Sequence, residues 1–108
     1  MKRFLITGVK GQVGSYLLPK LSIKYGKENI IATDLSKDYN TSYARYVSLD
    51  VTDEKKLEEI IKENKITNVI HLASILSALA EKHPDLAKKV NIDAVVNLFE
   101  LSRLYKFQ

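Results

Sequence analysis

Thr7-Gly8-Val9-Lys10-Gly11-Gln12-Val13-Gly14 sets three glycines at three-residue intervals. That spacing suits a chain that must bring its backbone close to an anion. Gly8 would permit a tight turn, and Gly11 would remove the side chain that keeps N–H groups away from a pyrophosphate. Gly14 would let a following helix lie close on the preceding strand. The first N–H groups of such a helix have no partners within it and face the same charge. An ordinary strand-to-helix turn could contain these glycines too. The acid at Asp34 separates the two cases, because it stands twenty residues beyond Gly14. A carboxylate at that distance reaches the ribose hydroxyls of a bound dinucleotide.

Asp34 also chooses between dinucleotides. It would face the extra phosphate of NADP, and like charges about 4 Å apart repel by roughly 4 kcal/mol at an effective dielectric of ~20. Lys10 could reach that phosphate, but an exposed ion pair returns only about 1 kcal/mol or less. The expected cofactor is therefore NAD.

These residues need elements to hold them. Phe4-Leu5-Ile6 is a short apolar run that ends at Gly8. Val13, Leu17, Leu18, Leu21 and Tyr25 then recur at helical spacing, with Pro19 expected to bend that helix or tighten its early turns and Gly26 to stop it. Ile30-Ile31-Ala32-Thr33 ends at Asp34, residues 35–43 read as a loop, and Tyr46-Val47-Ser48-Leu49 ends at Asp50. Leu57, Ile60 and Ile61 mark a second helix, capped by Thr52 or Asp53 and ending near Asn64. Val69-Ile70-His71-Leu72-Ala73 is a fourth run, and His83-Pro84-Asp85 opens a last helix.

That helix carries a broad apolar stripe of Leu86, Val90, Ala94, Leu98 and Leu101. A narrower one, Ile92, Val96 and Phe99, lies nearly opposite and calls for a second partner. The strand runs are continuous rather than alternating, as in parallel sheets covered on both faces. The order β-α-β-β-α-β-α predicts an α/β fold, a Rossmann-type three-layer sandwich with a parallel sheet. With another strand due where Gln108 stands, residues 1–108 read as the N-terminal half of that fold. The fourth strand's outer edge is then expected to be unpaired.

Composition narrows the class further. The chain has 108 residues, 45% of them hydrophobic and 28% charged, as globular domains have. It has no cysteine, which excludes disulfides and thiolate-held metals; no metal site is expected. Seventeen basic against thirteen acidic residues give a net charge of +4. The basic residues never run longer than two, so no nucleic-acid footprint is expected. No apolar run approaches the ~20 residues of a membrane span, and Met1-Lys2 leads straight into a strand. A cytoplasmic location with no membrane partner is expected.

The glycine spacing with Asp34, Asp50-Val51 and His71-Leu72-Ala73 resembles the extended short-chain dehydrogenase/reductase superfamily of NAD-dependent epimerases and dehydratases. Within it, His71-Leu72-Ala73-Ser74-Ile75-Leu76-Ser77-Ala78, Glu81-Lys82, Pro84, Ala87 and Val90-Asn91 are similar to the L-threonine 3-dehydrogenase branch. Gln12 and the Tyr25-to-Ala32 segment look like that branch too. The resemblance implies an NAD-dependent oxidoreductase that passes hydride from the 3-hydroxyl of L-threonine to NAD. It implies cofactor contacts from Gly8, Gly11, Gln12, Val13, Gly14, Asp34, Leu35, Asp50, Val51, Leu72, Ala73 and Ser74. Asp50 would hold the adenine amino group, unless it only caps the following helix. Ser77 would lie near the substrate, an amino acid, and a homodimer would form through the last helix and a later one.

The family's chemistry needs a Tyr-x-x-x-Lys pair on a later helix, the tyrosine acting as base. The spacing occurs once here, at Tyr16 and Lys20, at the pyrophosphate end of the site. That is the wrong place for it, so no catalytic residue is assigned and the 108 residues alone are expected to be inactive. Two other readings remain open: part of a sugar-nucleotide epimerase or dehydratase, and a non-catalytic dinucleotide-binding module.

Overall fold

The computed structural model describes residues 2–73, 82 and 84–108. Strands β1 (Phe4–Thr7), β2 (Ile30–Asp34), β3 (Arg45–Ser48) and β4 (Asn68–His71) form one parallel sheet in the order β3-β2-β1-β4. Helix α1 (Gln12–Tyr25) links β1 to β2, and α2 (Glu54–Glu63) links β3 to β4. After β4 come α3 (Pro84–Lys88), a π-helical turn (Lys89–Asp93) and α4 (Ala94–Tyr105).

The continuous apolar runs are explained by cover on both faces. On one face, Leu5 and Ile31 pack with Leu57, Ile60 and Ile61 of α2 and with Ala94, Leu98 and Leu101 of α4. On the other, Phe4, Ile6, Ile30 and Ala32 pack with Val9 and with Leu18 of α1. Successive strand residues thus serve opposite faces, and neither face can be polar. β2 and β3 follow β1 to one side, whereas β4 lies on the other. That reversal opens a crevice at the carboxyl ends of β1 and β4.

Pro19 lies inside α1, which runs from Gln12 to Tyr25 and stops at Gly26, φ +90°. Three expectations need correction. The last helix is not uniform, because the π-helical turn lies inside it. The outer edge of β4 is not wholly unpaired: Gln108 donates to the Thr67 carbonyl (2.9 Å) and accepts from the Val69 N–H (2.5 Å). Those two bonds are the start of a parallel pairing. Val13 also leaves its stripe: it is 61% exposed and lies at the crevice mouth.

Candidate functional site

The crevice holds a cavity of about 720 Å³, within the usual range for small-molecule sites. Its walls come from four strand ends. Gly8, Lys10, Gly11, Gln12, Val13 and Gly14 follow β1, and Thr33, Asp34 and Leu35 end β2. Leu49, Asp50 and Val51 follow β3, and Leu72 and Ala73 follow β4. Eleven of the twelve residues assigned to the cofactor from sequence are therefore brought together. Ser74, the twelfth, and Ser77 lie outside the described residues. Lys10, Thr33 and Leu49 are further wall residues. Lys10 was legible as a charge inside the glycine turn, while Thr33 and Leu49 carried no signal beyond their strand runs.

The glycine turn is built as tightly as its spacing suggests. Gly8 has φ +71°, which a side chain would strain, and a Cβ there would stand 2.7 Å from the Ala73 nitrogen. A Cβ on Gly14 would stand 2.7 Å from the Gly8 carbonyl oxygen and from the Val9 Cα, so helix and turn touch. Gly11 differs: the nearest atom to its Cβ would be the Gly8 oxygen at 3.4 Å. The fold does not need glycine there, and the open space belongs to the cavity. Gly11 is also the N-cap of α1, with no side-chain cap and no acid in the first turn. The helix's leading N–H groups are left for an anion.

Asp34 is fixed from three sides. Its carbonyl accepts from Leu49 N–H (2.9 Å) and from the Tyr46 hydroxyl (3.0 Å). Its carboxylate accepts from Leu35 N–H at Oδ1 (2.7 Å) and from Lys10 N–H at Oδ2 (2.9 Å). Each oxygen keeps a second lone pair for a ribose hydroxyl. Burial, and then the charge of Asp34, push the Tyr46 hydroxyl above its usual 10.0, so it stays a donor at neutral pH. The Lys10 ammonium lies 5.7 Å from the centre of the Tyr39 ring, a cation–π contact.

Asp50 lines the cavity and does not itself cap α2. Its Oδ1 accepts from the N–H (2.9 Å) and hydroxyl (2.7 Å) of Thr52, a turn that shapes the approach to α2. The residue is exposed on the cavity wall, which leaves Oδ2 for a ligand. Asp53, not Thr52, caps α2, accepting from Lys56 N–H (3.2 Å). Tyr16 is 69% exposed, and the Lys20 ammonium stands 4.7 Å from its ring centre. Neither residue lines the cavity.

This geometry defines the class, a nucleotide-binding α/β domain with its site at the sheet's switch point. The chain belongs to the NAD-dependent epimerase/dehydratase family, whose model matches residues 4–108. It is 37% identical, over all of its length, to an uncharacterized epimerase/dehydratase of Staphylococcus saprophyticus, of which it covers 35%. Among solved structures, the L-threonine dehydrogenase of Clostridium difficile superposes with a TM-score of 0.90 at 39% identity. That match covers all of this chain and 35% of the other. A monomeric L-threonine 3-dehydrogenase from a metagenome gives the same TM-score and identity over 97% of this chain and 34% of its own. The chain thus spans about a third of the length of the relatives it matches.

Proposed function

We propose that this chain is the NAD-binding part of an L-threonine 3-dehydrogenase. The observation that carries the reading is the single cavity in which the uncapped start of α1, the open Gly11 and the fixed Asp34 carboxylate meet. The leading N–H groups of α1 take the pyrophosphate. Asp34 takes the adenosine ribose, and Asp50 with Val51 takes the adenine. Leu72 and Ala73 continue the wall toward the nicotinamide; the family resemblance adds Ser74 to the cofactor contacts and Ser77 to the amino-acid substrate's. When bound, NAD supplies the hydride acceptor. The similarity to threonine dehydrogenases at 39% identity supports the substrate. Tyr16 and Lys20 have no access to the cavity, so these 108 residues bind cofactor without turning it over.

Calorimetric titration tests the cofactor reading directly. The folded chain should bind one NAD and bind NADP at least about tenfold more weakly, given repulsion of the order already estimated for Asp34. A folded chain that takes up no NAD, or takes both equally, sinks it. The substrate reading is tested on a protein that carries this chain at full family length. It should reduce NAD with L-threonine and leave nucleotide sugars unchanged.

A further inference from the structure

We propose that His71 is a positioning residue for the cofactor cavity: neutral and protonated on Nε2, it orients the Thr7 hydroxyl, which in turn holds the Leu72–Ala73 wall in place. The inference rests on the reading of the cavity as an NAD site.

Thr7 is fully buried. Its Oγ1 receives the N–H of Leu72 (3.0 Å), which is shared with the Thr7 carbonyl (3.1 Å), and the N–H of Ala73 (3.2 Å), and it stands 2.7 Å from Nδ1 of His71. A hydroxyl has two lone pairs and one proton. The two amides use both lone pairs, so the proton must point at Nδ1. Nδ1 is then an acceptor, and the imidazole proton sits on Nε2. The arrangement matters because the wall has no slack. The Gly8 turn already touches the Leu72–Ala73 peptide so closely that a Cβ would stand 2.7 Å from both the Ala73 nitrogen and the Leu72 carbonyl carbon. A small shift of that peptide would change the cavity's shape next to the glycine turn.

The surroundings of His71 favour the neutral ring. Its other side faces a groove lined from β4, α4 and the C-terminal residues, in which Ser102 and Gln108 are the polar members, no other side chain titrates, and the charged group is the terminal carboxylate of Gln108. Nε2 is buried there and has no partner among the described residues. Burial lowers the pKa of His71 below 6.5. A second proton, on Nδ1, would present a third donor to a hydroxyl that can accept two. Either the Ala73 N–H would lose its acceptor or the Leu72 N–H would have to turn wholly to the Thr7 carbonyl, and both shift the wall.

The test uses the 108-residue chain with His71→Asn and His71→Leu. Asparagine keeps an acceptor, Oδ1, on the atom that carries Nδ1 in histidine, whereas leucine has none. In the wild type, nitrogen NMR of the ring should show the Nε2–H form. Amide exchange at Ala73 should be slow in the wild type and in His71→Asn, and at least about tenfold faster in His71→Leu, whereas Leu72 keeps the Thr7 carbonyl and should change less. NAD affinity should follow, within about twofold for asparagine and roughly tenfold weaker for leucine. Wild-type affinity should also fall as the pH drops below 6.5, and His71→Asn should be flat. An Nδ1–H ring, or equal losses in the two variants, overturns the proposal. If the leucine variant does not fold, the pH profiles of wild type and His71→Asn decide, and two parallel profiles overturn it. The ring form and amide exchange need no cofactor. A chain that shows both yet binds no NAD therefore fails the cofactor reading, and the positioning role falls with it.

Discussion

Gly11 and Gly14 look alike in the sequence and do different work. The Cβ of Gly14→Ala would be forced against the backbone of Gly8 and Val9, and overpacking of that kind costs about 1–3 kcal/mol. Gly11→Ala meets only the Gly8 oxygen at an ordinary distance and should unfold within about 0.5 kcal/mol of the wild type. Its methyl group stands where the pyrophosphate must approach, so NAD binding should be lost from a normally stable chain. Urea denaturation alongside NAD titration checks both. A Gly11→Ala chain that still binds NAD as tightly would remove Gly11 from the site. His71 gives a pH dependence of stability with a defined sign. Its folded pKa lies below 6.5, so between the two values the unfolded chain binds more protons. The contribution is complete above pH 6.5, is lost as the pH falls toward the folded value, and is level below it. His71→Asn should remove that slope from the acid limb of a denaturation profile. The glycines and Asp34 could be read from sequence because their spacing follows the dinucleotide-binding pattern. The Thr7–His71 contact could not, since it joins residues 64 positions apart through a strand pairing that no local pattern records.

The elements were legible where one physical requirement set the pattern. Phe4-Leu5-Ile6 and Ile30-Ile31-Ala32 had to be apolar throughout because helices cover both faces. Leu57, Ile60 and Ile61 form one stripe because α2 buries one side only. The last helix shows where pattern and geometry diverge. Leu86, Val90, Ala94 and Leu98 recur every four residues, three times over, and that spacing runs ahead of the ~3.6-residue turn. The wider π-helical turn at Lys89–Asp93 takes up the excess before Ala94, Leu98 and Leu101 meet the sheet. The start of α2 admitted Thr52 or Asp53 as cap, and only the bond to Lys56 N–H decides between them. Asp53→Ala should therefore cost about 1 kcal/mol in urea denaturation. Thr52→Ala, which loses a hydroxyl bond to an exposed Asp50, should cost less. The reverse order would assign the cap to Thr52.

At the scale of the whole molecule, sheet order and site follow from one another. Placing β4 beside β1, rather than beside β3, is what opens the crevice at the glycine turn. Gln108 already covers part of the β4 edge, so that edge is a weaker site for association than the sequence suggested. The second stripe of the last helix remains bare, with Ile92 55%, Val96 56% and Phe99 68% exposed on one side of it. Charges are scarce within that stripe, and apolar clusters of this kind favour burial against a second copy. The chain should therefore sediment as a dimer or larger species. Ile92→Glu with Val96→Glu should return it to the mass of a single chain, because two carboxylates would have to be desolvated in the contact. Neither residue lines the cavity or the groove beside His71, so NAD affinity should not change. A wild-type chain that sediments as a monodisperse 12.3 kDa particle at tens of micromolar would show that the stripe does not recruit a second copy. A double variant that still associates would move the contact to the β4 edge, where the pairing begun by Gln108 stops at Val69.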